Sequence, residues 1–214
     1  MTKTAASIVL ALWGKGGAGK TSTAIALAGL AAAEGRRTVV LDADPQRSAS
    51  EFHTMSRNPT FNVHSTEVGA VATLLGRAKL RYDAVIIDNP PAPYRGSHAI
   101  AQAAGISIVC ARPFRFDLTL ALEWVDFLKH AHAKPLVALI AAPPLRHGMA
   151  PPTIRLARER LKAAGATPWR HQITHRLIYP ELIFRGMTVA DLPIDAPARS
   201  DYARLWSAIC ERNN

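Results

Sequence analysis

The segment IVLALWGKGGAGKT, residues 8–21, decides the fold. Its first five residues, Ile8–Leu12, form an unbroken apolar run, which is typical of a parallel strand covered on both faces. Its last eight residues match the pattern G-x-x-x-x-G-K-[ST], and an Ala- and Leu-rich helix is predicted to follow from Thr21 to Ala33. A strand, a glycine-rich loop and a helix in this order predict a phosphate-binding loop.

The predicted loop supplies the chemistry that phosphate groups need. Its glycines let successive backbone N–H groups surround phosphate oxygens, and the helix that follows adds its positive N-terminal end. Lys20 is predicted to neutralise the β- and γ-phosphates, and the Thr21 hydroxyl to bind Mg²⁺. The candidate nucleotide-binding residues are Gly14, Lys15, Gly16, Gly17, Ala18, Gly19, Lys20, Thr21 and Ser22.

The rest of the chain continues the alternation of strands and helices. The apolar runs predict further strands at 38–41, 61–64, 84–87, 106–111, 136–141 and 169–173, and helices at 47–55, 68–79, 97–104, 118–130, 153–164 and 200–211. This order predicts an α/β fold with a mostly parallel sheet flanked by helices on both faces. At 214 residues we expect a single domain over residues 1–214.

Acidic residues come directly after two of the predicted strands. Asp42 and Asp44 follow the strand at 38–41, and Asp88 follows the strand at 84–87. Because the carboxyl ends of parallel strands meet at one edge of the sheet, where ligands of such folds bind, these side chains are expected near the loop. Asp88 is predicted to hold Mg²⁺, directly or through water.

The composition excludes several classes of protein. Twenty-six Lys and Arg residues against sixteen Asp and Glu give a net charge of +10, which predicts a polyanionic partner: nucleotide phosphates, nucleic acid or an acidic membrane surface. No apolar stretch approaches the roughly 20 residues of a membrane span. The first apolar run leads into the glycine-rich loop, so we expect no secretion signal. Two cysteines, Cys110 and Cys210, fit a reducing cytosol and exclude a disulfide framework.

Lys15 is a second lysine inside the loop. Beside the phosphates of its own loop it would repel Lys20, and one solution is a face-to-face dimer in which Lys15 reaches the phosphates bound by the partner copy. The resulting sequence KGGAGKT, residues 15–21, resembles the deviant Walker A motif of the ParA/MinD family of P-loop ATPases. LDADPQ (41–46) resembles the family's D-x-D-P-Q segment, and VIIDNPP (85–91) its Walker B strand. ITHR (173–176) and FRGMT (184–188) resemble the short ParA-type partition ATPases.

The resemblance implies a slow ATPase that dimerises around two ATP molecules with Mg²⁺. By that mapping the catalytic residues are Lys15 acting across the dimer, Lys20 acting within its own subunit, and Asp44 orienting the attacking water. Asp42 would support the metal beside Thr21 and Asp88. It also implies a cargo-bound, ParB-like adaptor that stimulates hydrolysis. The cargo, a plasmid, a chromosome region or a protein assembly, is left open.

The surplus positive charge lies far from the loop in sequence. Residues 146–185 contain eight Lys and Arg residues but two Asp and Glu residues. Clustered basic side chains suit nonspecific binding of DNA phosphates, and ParA-type relatives bind chromosomal DNA in this way; the alternative is a solvated basic face. The candidate DNA contacts are Arg158, Lys162, Arg185 and Arg204. A cytoplasmic, nucleoid-associated protein is expected. Without the helix-turn-helix extension of longer ParA proteins, no operator-specific repression is expected.

The last predicted helix tests a MinD-like alternative, a membrane-cycling ATPase. Tyr202, Leu205, Trp206 and Ile209 share one face, but the other face mixes acidic and basic residues instead of a lysine cluster. We therefore expect this helix to dock onto the domain, and no membrane partner. A biosynthetic or reductase relative on the same scaffold is the third hypothesis. Trp13 replaces the Asn or Ser common in the family, and residues near Pro193 are a candidate adenine pocket.

Overall fold

Seven strands form one sheet in the computed structural model, which describes residues 7–57 and 59–213. They are β1 (Ile8–Trp13), β2 (Thr38–Asp42), β3 (Asn62–Ser65), β4 (Ala84–Asp88), β5 (Ile106–Ala111), β6 (Leu136–Leu139) and β7 (Thr167–Pro168). Their order is β3-β2-β4-β1-β5-β6-β7, and every pairing is parallel. The predicted parallel sheet is confirmed. The expectation about a secretion signal concerns residues 1–6 in part, which lie outside the described residues.

Eight α-helices cover both faces of the sheet. They are α1 (Lys20–Ala33), α2 (Ser48–Met55), α3 (Val68–Arg81), α4 (Ser97–Ala103), α5 (Arg115–His130), α6 (Pro152–Ala163), α7 (Ile178–Phe184) and α8 (Pro197–Asn213), among the residues that the structure describes. α1, α2, α7 and α8 pack on one face, and α3 to α6 pack on the other. The α/β fold with helices on both faces is therefore confirmed.

The unbroken apolar runs follow from this sandwich of layers. In β1, Leu10 and Leu12 point into the core under α1, whereas Ala11 and Trp13 point into the core under α3 to α6. All six residues of β1 are buried. A buried Leu contributes about 1.5–3 kcal/mol relative to an exposed one, so both faces of each central strand stabilise the fold.

The carboxyl end of β1 is the point where the chain changes direction across the sheet. From β1 the chain runs to β2 and β3 on one side, and after β4 it crosses to β5 on the other side of β1. The loops after β4 and β5, the neighbours of β1, lead to α4 and α5 on one face of the sheet, whereas the loop after β1 leads to α1 on the other face. Such switch points leave a crevice at the carboxyl edge, and residues 14–19 lie there.

The predicted strand at 169–173 is wrong in its position. The structure has β7 at Thr167–Pro168, and residues 169–173 keep backbone bonds to β6 at their two ends, from Trp169 N to Val137 O and from Ile173 N to Leu139 O. The residues between these two bonds leave the ladder. The sequence also missed α7, whose Pro180 lies in the first turn, where a missing N–H costs no helical hydrogen bond.

The last helix docks onto the domain, as predicted. Tyr202, Leu205, Trp206 and Ile209 of α8 are buried in the core that α1 shares. The residues 7–57 and 59–213 contain no helix long and apolar enough to cross a membrane. Cys110 is also buried in this core, and burial raises the pKa of its thiol to about 12.

Candidate functional site

The loop between β1 and α1 has the backbone that its glycines predict. Gly14, Gly17 and Gly19 have φ values of 134°, 73° and 84°. A cavity of about 390 Å³ lies against the loop; its lining residues are Gly16, Gly17, Gly19, Lys20, Thr21, Ser22, Asp44, Gln46, Ser48 and Pro91. Lys20 is 5% exposed and its Nζ donates to the carbonyl of Lys15 at 3.3 Å. Six of the nine predicted nucleotide-binding residues, all except Gly14, Lys15 and Ala18, therefore share one cavity with Asp44.

Replacing Gly14 with alanine is expected to lower the free energy of unfolding by at least about 3 kcal/mol, because its φ of 134° disfavours a side chain and a Cβ would collide with the carbonyl of Cys110. Urea titration of both proteins measures this. The matched variant is Gly16→Ala. Gly16 does not have a positive φ, and a Cβ there would lie 3.8 Å from Pro91 Cβ, which is an ordinary contact distance. If Gly14→Ala were as stable as Gly16→Ala, position 14 would not require a glycine and the prediction would be contradicted.

Thr21 and Asp88 meet at the carboxyl edge of the sheet. The Thr21 hydroxyl donates to Asp88 Oδ2 at 2.6 Å. Asp88 ends β4 and is fully buried. Burial, opposed by the bond from Thr21 and the charge of Lys20, raises the pKa of Asp88 to about 7. A divalent cation here would favour the ionised carboxylate.

Asp42 lies beside Asp88, as its strand position predicts, because the two residues are register partners in β2 and β4. Its Oδ2 accepts hydrogen bonds from the backbone N and the hydroxyl of Ser50, at 2.8 and 2.7 Å. Oδ1 of Asp42 and Oδ1 of Asp88 are buried and have no partner among the described residues. Two unpaired carboxylate oxygens next to a threonine hydroxyl fit a hydrated Mg²⁺, which takes few protein ligands.

A Mg²⁺ ion at this site needs further oxygen ligands from outside the chain. Within residues 7–57 and 59–213 there is no group of three or more His, Cys, Asp and Glu side chains that could hold a metal ion. Mg²⁺ usually keeps several waters and binds through one or two carboxylates and substrate phosphates. The donors present here therefore suit a cation that arrives with a polyphosphate.

Asp44 lies in the loop after β2 and lines the cavity with Lys20 and Thr21. Its Oδ1 accepts a hydrogen bond from the backbone N of Gln46 at 2.9 Å, which shapes the turn before α2. The Asp44 side chain is half-buried and lines the same cavity as Lys20 and Thr21. Its role in orienting the attacking water stays a prediction.

Lys15 lies apart from the cavity that holds Lys20. Its Nζ is 3.2 Å from Oδ1 of Asp117, a buried residue in the first turn of α5. Arg112, which follows β5, donates from Nε to the same oxygen at 3.1 Å. Sequence reasoning missed Arg112 and Asp117, although Arg112 directly follows β5, the same strand-end position that singled out Asp88.

Trp13 points away from the phosphate cavity. It is fully buried, its Nε1 donates to Ser107 Oγ at 3.2 Å, and its ring packs against Trp124 and Phe127. The substitution that distinguishes this chain from the family pattern therefore lies in the core. Asn89, the next residue after Asp88, instead links the end of β4 to the end of β1, where the loop begins. Its Nδ2 donates to the Leu12 carbonyl at 3.0 Å.

The candidate DNA contacts fall into different places. Arg158 is half-buried and donates from Nη2 to the carbonyl of His171 at 3.1 Å. Burial, and then the positive charges of Arg170, Arg204 and Arg158, lower the pKa of His171, whereas the charge of Asp201 opposes the shift. Lys162 is exposed one turn after Arg158 on α6. Arg185 is exposed at the end of α7, where it lines a separate cavity with Phe184 and Arg57.

The comparisons with known proteins agree with this geometry. Residues 9–177 match the family described as CobQ/CobB/MinD/ParA nucleotide binding domain. The chain is 34% identical over 130 residues to the maintenance of carboxysome distribution protein A of Gloeobacter kilaueensis, an alignment that spans 55% of this chain and 55% of that protein. It thus matches about half the length of this curated relative.

Solved structures show the same fold. McdA from Cyanothece without nucleotide has a TM-score of 0.79 at 16% identity, covering 97% of this chain and 100% of that one. An ATP complex of a Cyanothece McdA variant has a TM-score of 0.77 at 15% identity, covering 97% and 96%. MinD from Pyrococcus horikoshii with Mg-ADP has a TM-score of 0.75 at 14% identity, covering 95% and 96%.

Two of these neighbours hold ATP or Mg-ADP, the ligands that the buried carboxylates and the glycine-rich loop of this chain suit. The family match covers most of the chain, including the loop, both strand-end carboxylates and Asp117. The chain belongs to the CobQ/CobB/MinD/ParA family of nucleotide-binding domains.

Proposed function

We propose that this protein is a Mg²⁺-dependent ATPase of the ParA type that dimerises around two ATP molecules and positions a cargo on DNA. The observation that carries the proposal is the separation of the two lysines. Lys20 is buried at the phosphate cavity, whereas the Lys15 side chain lies outside this cavity and pairs with Asp117. A second lysine outside the cavity suits phosphates that a second copy presents.

ATP with Mg²⁺ is the ligand that the donors favour. The loop offers backbone N–H groups and Lys20 to phosphates, and Thr21, Asp42 and Asp88 offer oxygen to the cation. Phosphoryl transfer needs positioning and charge neutralisation more than covalent help from the protein. Asp44, on the cavity wall, would then orient the attacking water. Turnover is expected to be slow until an adaptor protein completes the site.

The proposed DNA surface lies at the β7 edge of the sheet. Arg158 comes from α6 on one face, Arg204 from α8 on the other, and Arg170 from the loop after β7. Arg170 and Arg204 are exposed, whereas Arg158 is held by the carbonyl of His171. We therefore assign phosphate contacts to Arg170 and Arg204 and a supporting role to Arg158. Such a surface binds backbone phosphates without reading bases.

The cargo is proposed to be a protein assembly. The relative from Gloeobacter kilaueensis is named for carboxysome distribution, which favours a protein cargo over a plasmid or chromosome region. The membrane-cycling alternative has less support, because α8 buries its apolar face in the domain. A cytoplasmic location with nucleoid association follows from the proposed DNA binding.

Retention on nonspecific double-stranded DNA is expected with ATP and not with ADP or without nucleotide, and Lys20→Ala is expected to abolish the difference. Reversing Arg170 and Arg204 together to Glu should weaken retention at least about tenfold and lower the salt slope by about two, one for each lost phosphate contact. Biolayer interferometry on immobilised DNA over a range of salt concentrations measures both effects.

The matched control reverses Arg77 and Arg81, which are exposed on α3 in the other half of the sheet. It changes the net charge equally but should retain most of the DNA binding. Equal retention in all nucleotide states would overturn the ATP-dependent cycle. Equal loss in both double variants would show that total charge, and not this surface, governs binding.

A further inference from the structure

We propose that Arg112 is a second residue that acts across the dimer, contacting the phosphates of the ATP molecule bound by the partner copy. This inference rests on the proposed function. It concerns a residue that neither the loop motif nor the strand-end carboxylates include, and the cluster formed by Lys15, Arg112 and Asp117 carries it.

The first argument is charge. Lys15 Nζ and Arg112 Nε lie 3.2 and 3.1 Å from the same oxygen, Oδ1 of Asp117. One carboxylate therefore serves two cations, and the cluster keeps a net positive charge. Asp117 is buried at the start of α5, whereas the side chains of Lys15 and Arg112 are 28% and 38% exposed. The surplus charge thus faces outward, where a polyphosphate would compete with Asp117 for both cations.

The second argument is position. A Cβ on Gly17 would lie 3.6 Å from Arg112 Nη2, so the guanidinium rests against the exposed apex of the phosphate-binding loop. Arg112 does not line the cavity that contains Lys20, Thr21 and Asp44. It lies against Gly17, which itself lines that cavity, so the guanidinium is at the cavity's rim. Because the apex of the loop is exposed, an arginine there faces whatever covers it.

The third argument is the surface around it. The segment from Arg112 to Asp117 exposes two large apolar side chains, Phe114 at 50% and Phe116 at 80%. Exposed aromatic residues next to charged groups are typical of surfaces that another protein covers. Because this segment adjoins the loop apex, a second copy docked over the nucleotide would cover it. Arg112 would then meet the partner's phosphates with its planar, bidentate donor group.

Arg112 and the two candidate metal-binding carboxylates lie on opposite sides of β1. Asp42 and Asp88 are on β2 and β4, on one side of β1, so a cation held there neutralises the phosphates from that side. Arg112 follows β5, on the other side of β1. In a symmetric dimer Arg112 and Lys15 of one copy would supply positive charge opposite the partner's metal, where charge develops during phosphoryl transfer.

Mixing two inactive variants tests the assignment. Arg112→Ala should reduce ATP turnover about 10- to 100-fold, as expected for the loss of one charge-assisted contact at each site, and should weaken ATP-dependent dimerisation about 10²- to 10⁴-fold, because a two-fold dimer contains that contact twice. Asp44→Ala is inactive for a different reason, because it lacks the water-orienting group in its own cavity. In a mixed dimer the Arg112→Ala copy keeps its own Asp44 and receives Arg112 from its partner. Mixing is therefore expected to restore turnover to about a quarter of the wild-type value, by random pairing.

Each of the other outcomes contradicts either the proposed function or the inference about Arg112. A wild-type protein that neither dimerises with ATP nor hydrolyses it overturns the proposed function. If wild type is active and Arg112→Ala equals it in turnover and in light scattering with ATP, the inference is wrong. If Arg112→Ala is impaired but mixing restores nothing, Arg112 acts within its own subunit and the assignment across the dimer fails.

Two further variants separate this role from a structural one. Arg112→Lys keeps a cation for Asp117 but loses the bidentate group, so it should fold as wild type and show an intermediate loss of turnover. Arg37→Ala breaks an arginine–aspartate pair with Asp83 at the opposite edge of the sheet and should leave turnover and dimerisation unchanged. Arg112→Lys with full turnover would contradict the bidentate contact that is proposed for Arg112.

Discussion

Replacing Asp44 with alanine is expected to reduce ATP turnover about 10²- to 10⁴-fold while leaving ATP binding intact. Asp44 lines the cavity beside Lys20 and Thr21, but the loop and Lys20 hold the phosphates without it. Hydrolysis should therefore fail after binding, and the protein should remain an ATP-bound dimer on DNA. Phosphate release, and the dissociation rate from immobilised DNA after ATP is washed out, measure the two consequences.

Two variants accompany this experiment. Asp44→Asn can keep the hydrogen bond from Gln46 N and so preserves the turn while removing the charge. Asp126→Ala removes an aspartate of α5 whose side chain is 74% exposed, and it should hydrolyse ATP as wild type does. Normal turnover by Asp44→Ala would refute the role in orienting water.

Replacing Lys15 with alanine or glutamine is expected to weaken ATP-dependent dimerisation about 10²- to 10⁴-fold. Each charge-assisted contact contributes about 1.5–3 kcal/mol, and a two-fold dimer contains each contact twice. Monomeric ATP binding should change little, because Lys15 Nζ lies with Asp117 instead of in the cavity. Light scattering with ATP in an Asp44→Ala background measures dimerisation without loss of nucleotide.

The control for Lys15 is Lys129→Ala. Lys129 bonds the Gly165 carbonyl at 2.8 Å near the end of α5, far along the chain from the loop. It should dimerise as the parent protein does. If Lys15→Ala loses monomeric ATP binding as fully as Lys20→Ala, then Lys15 acts in its own subunit and the proposed dimer contact is wrong.

Much of the fold could be predicted because its determinants are local. Apolar runs of five or six residues specify strands buried on both faces, and the glycines of residues 14–19 specify backbone angles that few other residues adopt. The strand-end position of Asp42 and Asp88 placed them at one edge, because the strands are parallel. The segment at 169–173 could not be placed, since whether an apolar run completes a ladder depends on the partner strand, β6.

The sequence by itself determined the sheet, the phosphate-binding loop and the family, because backbone propensity and strand polarity are encoded in neighbouring residues. The tertiary structure decided which polar groups meet: Lys15 and Arg112 share Asp117, Asp42 is held by Ser50, and Arg158 bonds the carbonyl of His171. Long polar side chains come from elements far apart in the chain, and their contacts depend on how those elements pack. Their partners are therefore set by three-dimensional distance, which sequence spacing does not report.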